Sequence, residues 1–294
     1  MNIKYKNLLL SRFIVHFFLY LCSIELKTYQ TMLGAIIGDI VGSRFEFGPA
    51  PESGFSLFTD ECNYTDDTIC TIAIADAIMN KRDYGEALHD WCRRYPTPMG
   101  GYGGRFQDWV ESDNPKPYGS FGNGSAMRVS AVAWLFSDYQ DVKEQAIETA
   151  RPTHNHPEGL KGAECIATLA YWLRTCRITK DEVEIKAGKL WGYEIPSIAD
   201  INKIGAQNHF DGTCMETVPM AIRCFLESQS FEEAIRYAVM ADGDTDTKAA
   251  ITGTLAEAFY EVPMNFVVKA LSYLPADMLD IVSQYYDRLE TKLK

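Results

Sequence analysis

Two acidic stretches of the chain carry the residue types best suited to chemistry. Tyr64–Thr68 reads YTDDT, and Asp242–Thr247 reads DGDTDT. Each stretch combines carboxylates with threonine hydroxyls, and each runs directly into an apolar segment with helical spacing. Oxygen ligands packed this densely suit a hard cation such as Mg²⁺, Mn²⁺ or Ca²⁺ rather than a soft metal ion. The sequence therefore predicts that these stretches bind divalent cations.

A purely structural interpretation of the first stretch is also open. Thr65 has the residue type of a helix N-cap, and Asp66 and Asp67 would then occupy the first turn, where acidic side chains interact favourably with the helix dipole. Acidic caps of this kind are common and need no metal. Two stretches of the same design favour a joint function instead. Because Asp67 and Asp244 lie far apart in the sequence, only the folded chain can bring them together.

The composition is typical of a soluble globular protein, since 47% of the 294 residues are hydrophobic and 23% are charged. A net charge of −12 and a pI of about 4.9 argue against binding to a nucleic-acid polymer and against stable association with an anionic membrane. The eight cysteines form no C-x-x-C pair. In a chain of this length they indicate reduced, mostly buried thiols, and we expect a cytoplasmic protein.

The first 31 residues differ in character from the rest of the chain. Residues 8–24 are strongly apolar, although Ser11, Arg12 and His16 interrupt them. This run is marginal for a membrane span, which needs about 20 mostly apolar residues. Met32 opens a segment that looks like a natural protein start. We therefore expect residues 1–31 to be an extension outside the fold and residues 32–294 to form one domain, with a short membrane anchor as the alternative.

Helical spacing dominates the chain from Met32 onwards. Gly34, Gly38 and Gly42 recur four residues apart, which would give one helix a face that permits close packing. Elsewhere apolar residues recur at three- and four-residue spacing, and no alternating strand pattern persists. These features predict an all-α fold, a single compact multi-helix domain of roughly a dozen helices.

Two glycine runs and a histidine pair are the remaining candidates for binding. Residues 100–104 and 119–124 are glycine-rich, and the second run leads into an apolar helix expected over 129–136. Backbone N–H groups at such an entry form an anion site, although a plain turn is the more frequent explanation. His154 and His156 precede a helix and lack the further ligands that a zinc site requires. We expect a phosphate or sugar contact from them, or a hydrogen bond at the helix start.

Five motifs follow one another in a specific order along the chain. They are GxxxGD from Gly34 with Glu46 after it, YTDDT at Tyr64–Thr68, SFGNGSAMR at Ser120–Arg128, THNHPE at Thr153–Glu158 and GDTDT at Gly243–Thr247. Together they extend over most of residues 32–262. On these motifs the chain resembles the ADP-ribosylglycohydrolase family, which includes dinitrogenase reductase-activating glycohydrolase and the ADP-ribosyl-acceptor hydrolases.

The resemblance implies an all-α domain with a two-metal cleft that holds two Mg²⁺ ions, for which Mn²⁺ may substitute. The implied metal ligands are Thr65, Asp66, Asp67, Asp244, Asp246 and Thr247. The implied substrate-binding residues are Gly122, Asn123, Gly124, Ser125, Met127 and His154. The implied catalytic carboxylate is Glu46, and Asp66 or Asp67 is the second choice for this role. The expected substrate is an ADP-ribosylated molecule, and the acceptor is left open among arginine, serine, a nucleobase and small molecules, as is the oligomeric state.

Two positions depart from the family pattern. Asp242 stands where glycine is expected, and Lys248 stands where a small or apolar residue is expected. From the sequence, an ammonium group beside Thr247 would either weaken a second metal or bind an anion of the substrate.

The implied activity is metal-dependent hydrolysis of the glycosidic bond between ADP-ribose and its acceptor. Two alternatives stay open. The first is a non-catalytic member that binds ADP-ribose or serves as a crystallin-like protein, since a fold does not fix an activity. The second is a metal-dependent phosphoesterase that acts on nucleotides.

Overall fold

The computed structural model describes residues 32–200 and 210–293, with side chains as far as residue 288. The expectation for residues 1–31 lies outside this part of the chain. In chain order the helices are α1 (Leu33–Gly42), α2 (Asp66–Asn80), α3 (Tyr84–Arg94), α4 (Gly104–Glu111), α5 (Gly124–Met127), α6 (Ser130–Leu135), α7 (Tyr139–Ala150), α8 (Pro157–Arg174), α9 (Glu182–Trp191), α10 (Cys214–Glu227), α11 (Phe231–Met240), α12 (Thr245–Glu257), α13 (Met264–Tyr273) and α14 (Ala276–Leu293).

The described residues contain no β-strand, and two isolated bridges, Thr65 with Met99 and Gly122 with Thr213, are the only β-type pairing among them. The predicted all-α fold is therefore confirmed. No helix in the described ranges is long and apolar enough to cross a membrane.

Helices α1 and α12 form the centre of the fold, and every residue of both helices is buried. They run antiparallel in direct backbone contact along the predicted glycine face. A Cβ added at Gly34 would lie 2.3 Å from the carbonyl oxygen of Gly253, and one added at Gly38 would lie 2.0 Å from that of Ala249. No side chain fits between the two backbones, so this contact requires glycine.

The two ends of this helix pair are fixed by polar contacts. At one end Glu257, the last residue of α12, accepts hydrogen bonds from the backbone N–H groups of Leu33 and Gly34, at 3.3 and 2.8 Å. These N–H groups begin α1 and have no partner within that helix. At the other end the hydroxyl of Thr245 donates to the carbonyl oxygen of Gly42 at 2.9 Å. The C-terminal end of α1 therefore lies directly beside the acidic stretch that begins α12.

Several local predictions change in detail. The helix expected over 129–136 is the shorter α6, and a separate turn of helix, α5, precedes it across the second glycine run. The expected C-terminal helical region is divided into α13 and α14 by Pro275. The prediction of mostly buried thiols is confirmed for the described cysteines with one exception, because Cys176 is exposed after the end of α8.

The close contact between α1 and α12 generates a stability prediction. Gly38→Ala should lower the free energy of unfolding by about 2–3 kcal/mol, because the new methyl group would overlap backbone that cannot move alone. Gly188→Ala is the matched control. Gly188 is an exposed glycine inside α9, and its nearest neighbour is at an ordinary 3.5 Å.

The control variant should gain about 0.5–1 kcal/mol from the better helix propensity of alanine. Urea denaturation followed by circular dichroism measures both values. Equal stability of the two variants would contradict the backbone contact.

Candidate active site

Asp39, on α1, holds the start of α2 in place. Its buried carboxylate accepts hydrogen bonds from the backbone N–H groups of Thr65 and Thr68, both at 3.0 Å, and from the hydroxyls of the same two threonines. The Thr65 hydroxyl in turn accepts from the backbone N–H of Asp67 at 3.2 Å, which confirms Thr65 as the N-cap. Asp66 and Asp67 are thereby fixed in the first turn of α2.

The second acidic stretch meets the first at the end of α1. Carboxylate oxygens of Glu46, Asp244 and Asp246 lie within 4.8 Å of one another. The hydroxyl of Thr247 donates to Asp67 Oδ2 at 3.1 Å, which joins the two stretches directly. The fold therefore brings the acidic groups together, as the sequence predicted.

Some of these carboxylate oxygens lack any hydrogen-bond donor. Asp67 Oδ1 and Glu46 Oε2 are buried and accept no hydrogen bond from the described residues. A buried anionic oxygen without a donor or a cation is costly. The donor set is carboxylate and hydroxyl oxygen alone, which is the preference of a hard divalent cation. The cluster therefore fits a cation of this kind.

The crowding of these buried carboxyl groups raises their pKa values. Burial, followed by the charges of Asp244 and Asp66, raises the pKa of Glu46 to about 8. Burial and the charge of Asp39 raise the pKa of Asp66 to about 8. For Asp67 and Asp246, burial and the surrounding carboxylates raise the pKa well above its usual range. A cation bound among these groups would lower their pKa values again, because it stabilises their charged forms.

The acidic cluster lines a cleft of about 460 Å³. The glycine loop before and through α5 lines the same cleft, together with His154. Within this loop the Asn123 side chain donates to Asp244 Oδ2 at 2.7 Å and to the Thr217 hydroxyl at 3.0 Å. Asn123 therefore connects the glycine loop to the second acidic stretch.

Comparison with known proteins identifies the family. The model of the family described as ADP-ribosylglycohydrolase matches residues 23–292. The chain belongs to the ADP-ribosylglycohydrolase family. Its activity is therefore hydrolysis of the bond between ADP-ribose and an acceptor.

Named relatives agree with this assignment. The chain is 26% identical to ADP-ribosylhydrolase ARH3 of Mus musculus, in an alignment that covers 84% of this chain and 88% of the relative. It is 24% identical to the ADP-ribosyl-[dinitrogen reductase] glycohydrolase of Rhodospirillum rubrum, over 84% of this chain and 91% of the relative. A solved structure described as an ADP-ribosylglycohydrolase-related protein complex has the same fold, with a TM-score of 0.64 at 22% identity, covering 88% of this chain and 96% of that one.

Most residues that the family pattern singles out do line the cleft. They are Glu46, Asp66, Asp67, Gly122, Asn123, Gly124, Met127, His154, Asp244, Asp246 and Thr247. Two predicted residues turn their side chains elsewhere. The Thr65 hydroxyl donates to Asp39 Oδ1 and accepts the N-cap hydrogen bond from the backbone N–H of Asp67. The Ser125 hydroxyl donates to the carbonyl oxygen of Gly159 at 2.7 Å, so it anchors the loop to α8.

The sequence interpretation missed several residues that shape the site. Asp39 was part of a recognised motif, but its role as the acceptor for the start of α2 became evident only in the fold. Gly100, in the first glycine run, lies against the carboxylate of Glu46, where an added Cβ would be 2.3 Å from Oε2. Phe47 and Phe210 line the cleft and stack with ring centroids 6.0 Å apart. Nothing in their local sequence marked these aromatic residues.

The two departures from the family pattern have a structural explanation. Asp242 has a φ of +62°, in the left-handed region that favours glycine. The buried ammonium of Lys248 donates to the carbonyl oxygens of Asp242 and, at 3.5 Å, of Ala241. Lys248 thus holds the turn before the second acidic stretch, and it does not line the cleft. This contact accounts for the ammonium without a substrate anion. Its effect on a metal held by Asp244 stays a prediction, and the charge of Asp244 opposes the lowering of the Lys248 pKa by burial.

Proposed function

We propose that this chain cleaves the glycosidic bond of ADP-ribosylated substrates with two Mg²⁺ ions held between its acidic stretches. The observation that carries the proposal is the meeting of Glu46, Asp244 and Asp246 within 4.8 Å in one cleft. Buried oxygens of Asp67 and Glu46 that lack donors among the described residues add to it, because a cation would stabilise them in their charged form.

The residues that would hold the cations are the members of the two acidic stretches that line the cleft: Asp66, Asp67, Asp244, Asp246 and Thr247. When bound, the cations would orient the ribose hydroxyls and increase the acidity of a nearby water. Thr247 serves the site in a second way, because its hydroxyl restrains the Asp67 carboxylate. Asn123 likewise restrains Asp244 from the glycine loop.

Glu46 is the proposed base. It follows the turn after α1, its carboxylate lies in the cleft, and Gly100 leaves room for it. As an anion it can take the proton of the water that attacks the anomeric carbon of the ribose, and it can stabilise the positive charge that develops on the sugar. Asp66 and Asp67, in the first turn of α2, are the reserve candidates for this role.

The glycine loop of the cleft would hold the ADP-ribose. Gly122 and Gly124 line the cleft without side chains, so a pyrophosphate can approach the loop backbone closely there. His154 lies beside the two glycines. We propose that this loop binds the nucleotide, while the acidic cluster carries out the chemistry.

An assay with defined products tests this function. Peptides ADP-ribosylated on arginine or serine and ADP-ribosylated small molecules are incubated with the protein, and the products are separated by chromatography. We expect free ADP-ribose with its pyrophosphate intact, no product in excess EDTA, and recovery with Mg²⁺ or Mn²⁺.

Other outcomes select the alternatives. Release of AMP would indicate a phosphoesterase, and ADP-ribose binding without turnover would indicate a non-catalytic member. Full activity in EDTA would disprove the metal requirement. The substrate that is turned over identifies the acceptor.

The role of Glu46 is tested by Glu46→Gln, which keeps the size of the side chain and removes its carboxylate. We expect kcat to fall by roughly 10²- to 10⁴-fold, the usual contribution of a positioned base, while KM changes little. Glu52→Gln is the control, because Glu52 is an exposed carboxylate outside the cleft. Normal turnover by Glu46→Gln would transfer the role to Asp66 or Asp67, and a comparable loss of ADP-ribose affinity would make Glu46 a binding residue.

A further inference from the structure

Three buried side chains form a continuous hydrogen-bonded chain behind the glycine loop of the cleft. Arg128, Thr153 and His154 are 1%, 0% and 5% exposed. Arg128 Nη2 donates to the Thr153 hydroxyl at 2.8 Å and to the carbonyl oxygen of Thr149 at 3.1 Å. The Thr153 hydroxyl lies 2.7 Å from His154 Nδ1. This series of hydrogen bonds therefore ends at the imidazole of His154, which lines the cleft.

The direction of these hydrogen bonds follows from the number of hydrogens available. A guanidinium can only donate, so the Thr153 oxygen must accept from Arg128. The single hydroxyl hydrogen of Thr153 is then left for His154 Nδ1, because it has no other acceptor among the described residues. If Nδ1 carried a hydrogen instead, the Thr153 oxygen could accept it with its second lone pair, but the buried Thr153 hydrogen would then lack an acceptor, which is costly. Nδ1 is therefore the acceptor.

The other ring nitrogen, Nε2, faces the glycine loop. A Cβ added at Gly124 would lie 3.0 Å from Nε2, and one added at Gly122 would lie 3.5 Å from it. Nε2 makes no hydrogen bond to any residue in the described ranges, and His154 lines the cleft. Burial and the charges of Arg128 and Arg105 lower the pKa of His154 well below its usual value, so the ring is neutral. A neutral ring with an accepting Nδ1 carries its hydrogen on Nε2.

We propose that Arg128 and Thr153 are positioning residues that hold His154 in its neutral Nε2–H tautomer, so that the imidazole presents a fixed N–H donor to an oxygen of ADP-ribose in the cleft. The part that concerns the ligand rests on the function proposed above. The part that concerns the tautomer is a property of the ligand-free protein.

The geometry explains why His154 is a neutral N–H donor at this position. An imidazolium would donate from both nitrogens, which would leave the buried Thr153 hydrogen without an acceptor and would add a positive charge beside that of Arg128. A neutral ring of the opposite tautomer would turn a lone pair towards the cleft and repel a ligand oxygen. Only the Nε2–H form satisfies Arg128, Thr153 and an oxygen ligand together.

Long-range ¹H–¹⁵N correlation spectra of the ligand-free protein at neutral pH test the tautomer directly, with His154→Gln used to identify the His154 signals. Thr153→Val removes the hydroxyl at nearly constant volume, and Thr153→Ser keeps it. Thr149→Val is the matched control, because it also removes a buried threonine hydroxyl, one that donates to Ala146 and not to His154. Calorimetry with ADP-ribose gives the affinity of each variant.

We expect the Nε2–H pattern in the wild type, in Thr153→Ser and in Thr149→Val, and a change to Nδ1–H or a mixture in Thr153→Val. ADP-ribose affinity should fall roughly tenfold in Thr153→Val alone. An Nδ1–H or doubly protonated His154 in the wild type overturns the proposal, and so does a Thr153→Val variant with unchanged tautomer and affinity. A wild type that binds no ADP-ribose overturns the donor role and the proposed function, while the spectra still decide the tautomer.

Discussion

The backbone contact between α1 and α12 determines where the acidic groups of this protein lie. Because Gly34, Gly38 and Gly42 have no side chains, the backbone of α12 can approach α1 more closely than in ordinary helix pairs. Their antiparallel register places the end of α1 beside the start of α12. Asp39 on α1 then captures the start of α2 through four hydrogen bonds. Three helix ends and the turn that carries Glu46 thus converge on one point.

This convergence places several carboxylates close together, and the described side chains do not neutralise their mutual repulsion. Several carboxylates share a buried site, their pKa values are raised, and oxygens of Asp67 and Glu46 have no donor in the part of the chain that the structure describes. Lys248 is buried close by in sequence, yet it is bound to backbone carbonyl oxygens. A fold that concentrates like charge in this way gains most from divalent cations, which can neutralise the repulsion and supply the chemistry. The glycine-rich part of the cleft lining also carries Arg105 and Arg128, whose positive charges suit the phosphates of a nucleotide.

Much of this architecture could be predicted from local sequence. Helical periodicity, the N-cap at Thr65 and the spacing of Gly34, Gly38 and Gly42 depend on neighbours along the chain, so their predictions hold. The acidic cluster could be anticipated because both halves carry the same residue types. Contacts between distant segments were out of reach: the bonds from Asp39 to α2 and the fit of Glu46 against Gly100. Each depends on where another segment of the chain lies, which a local pattern does not contain.

If the two acidic stretches together form one site for hard cations, a substitution in either stretch should abolish cation binding. The number of Mn²⁺ ions bound per chain can be measured by electron paramagnetic resonance for the wild type, Asp67→Asn and Asp246→Asn. We expect two ions per wild-type chain and a loss of binding in both variants, although the substituted residues belong to different stretches. Absence of saturable Mn²⁺ binding, or binding that is lost in one variant and unchanged in the other, would contradict a single shared site.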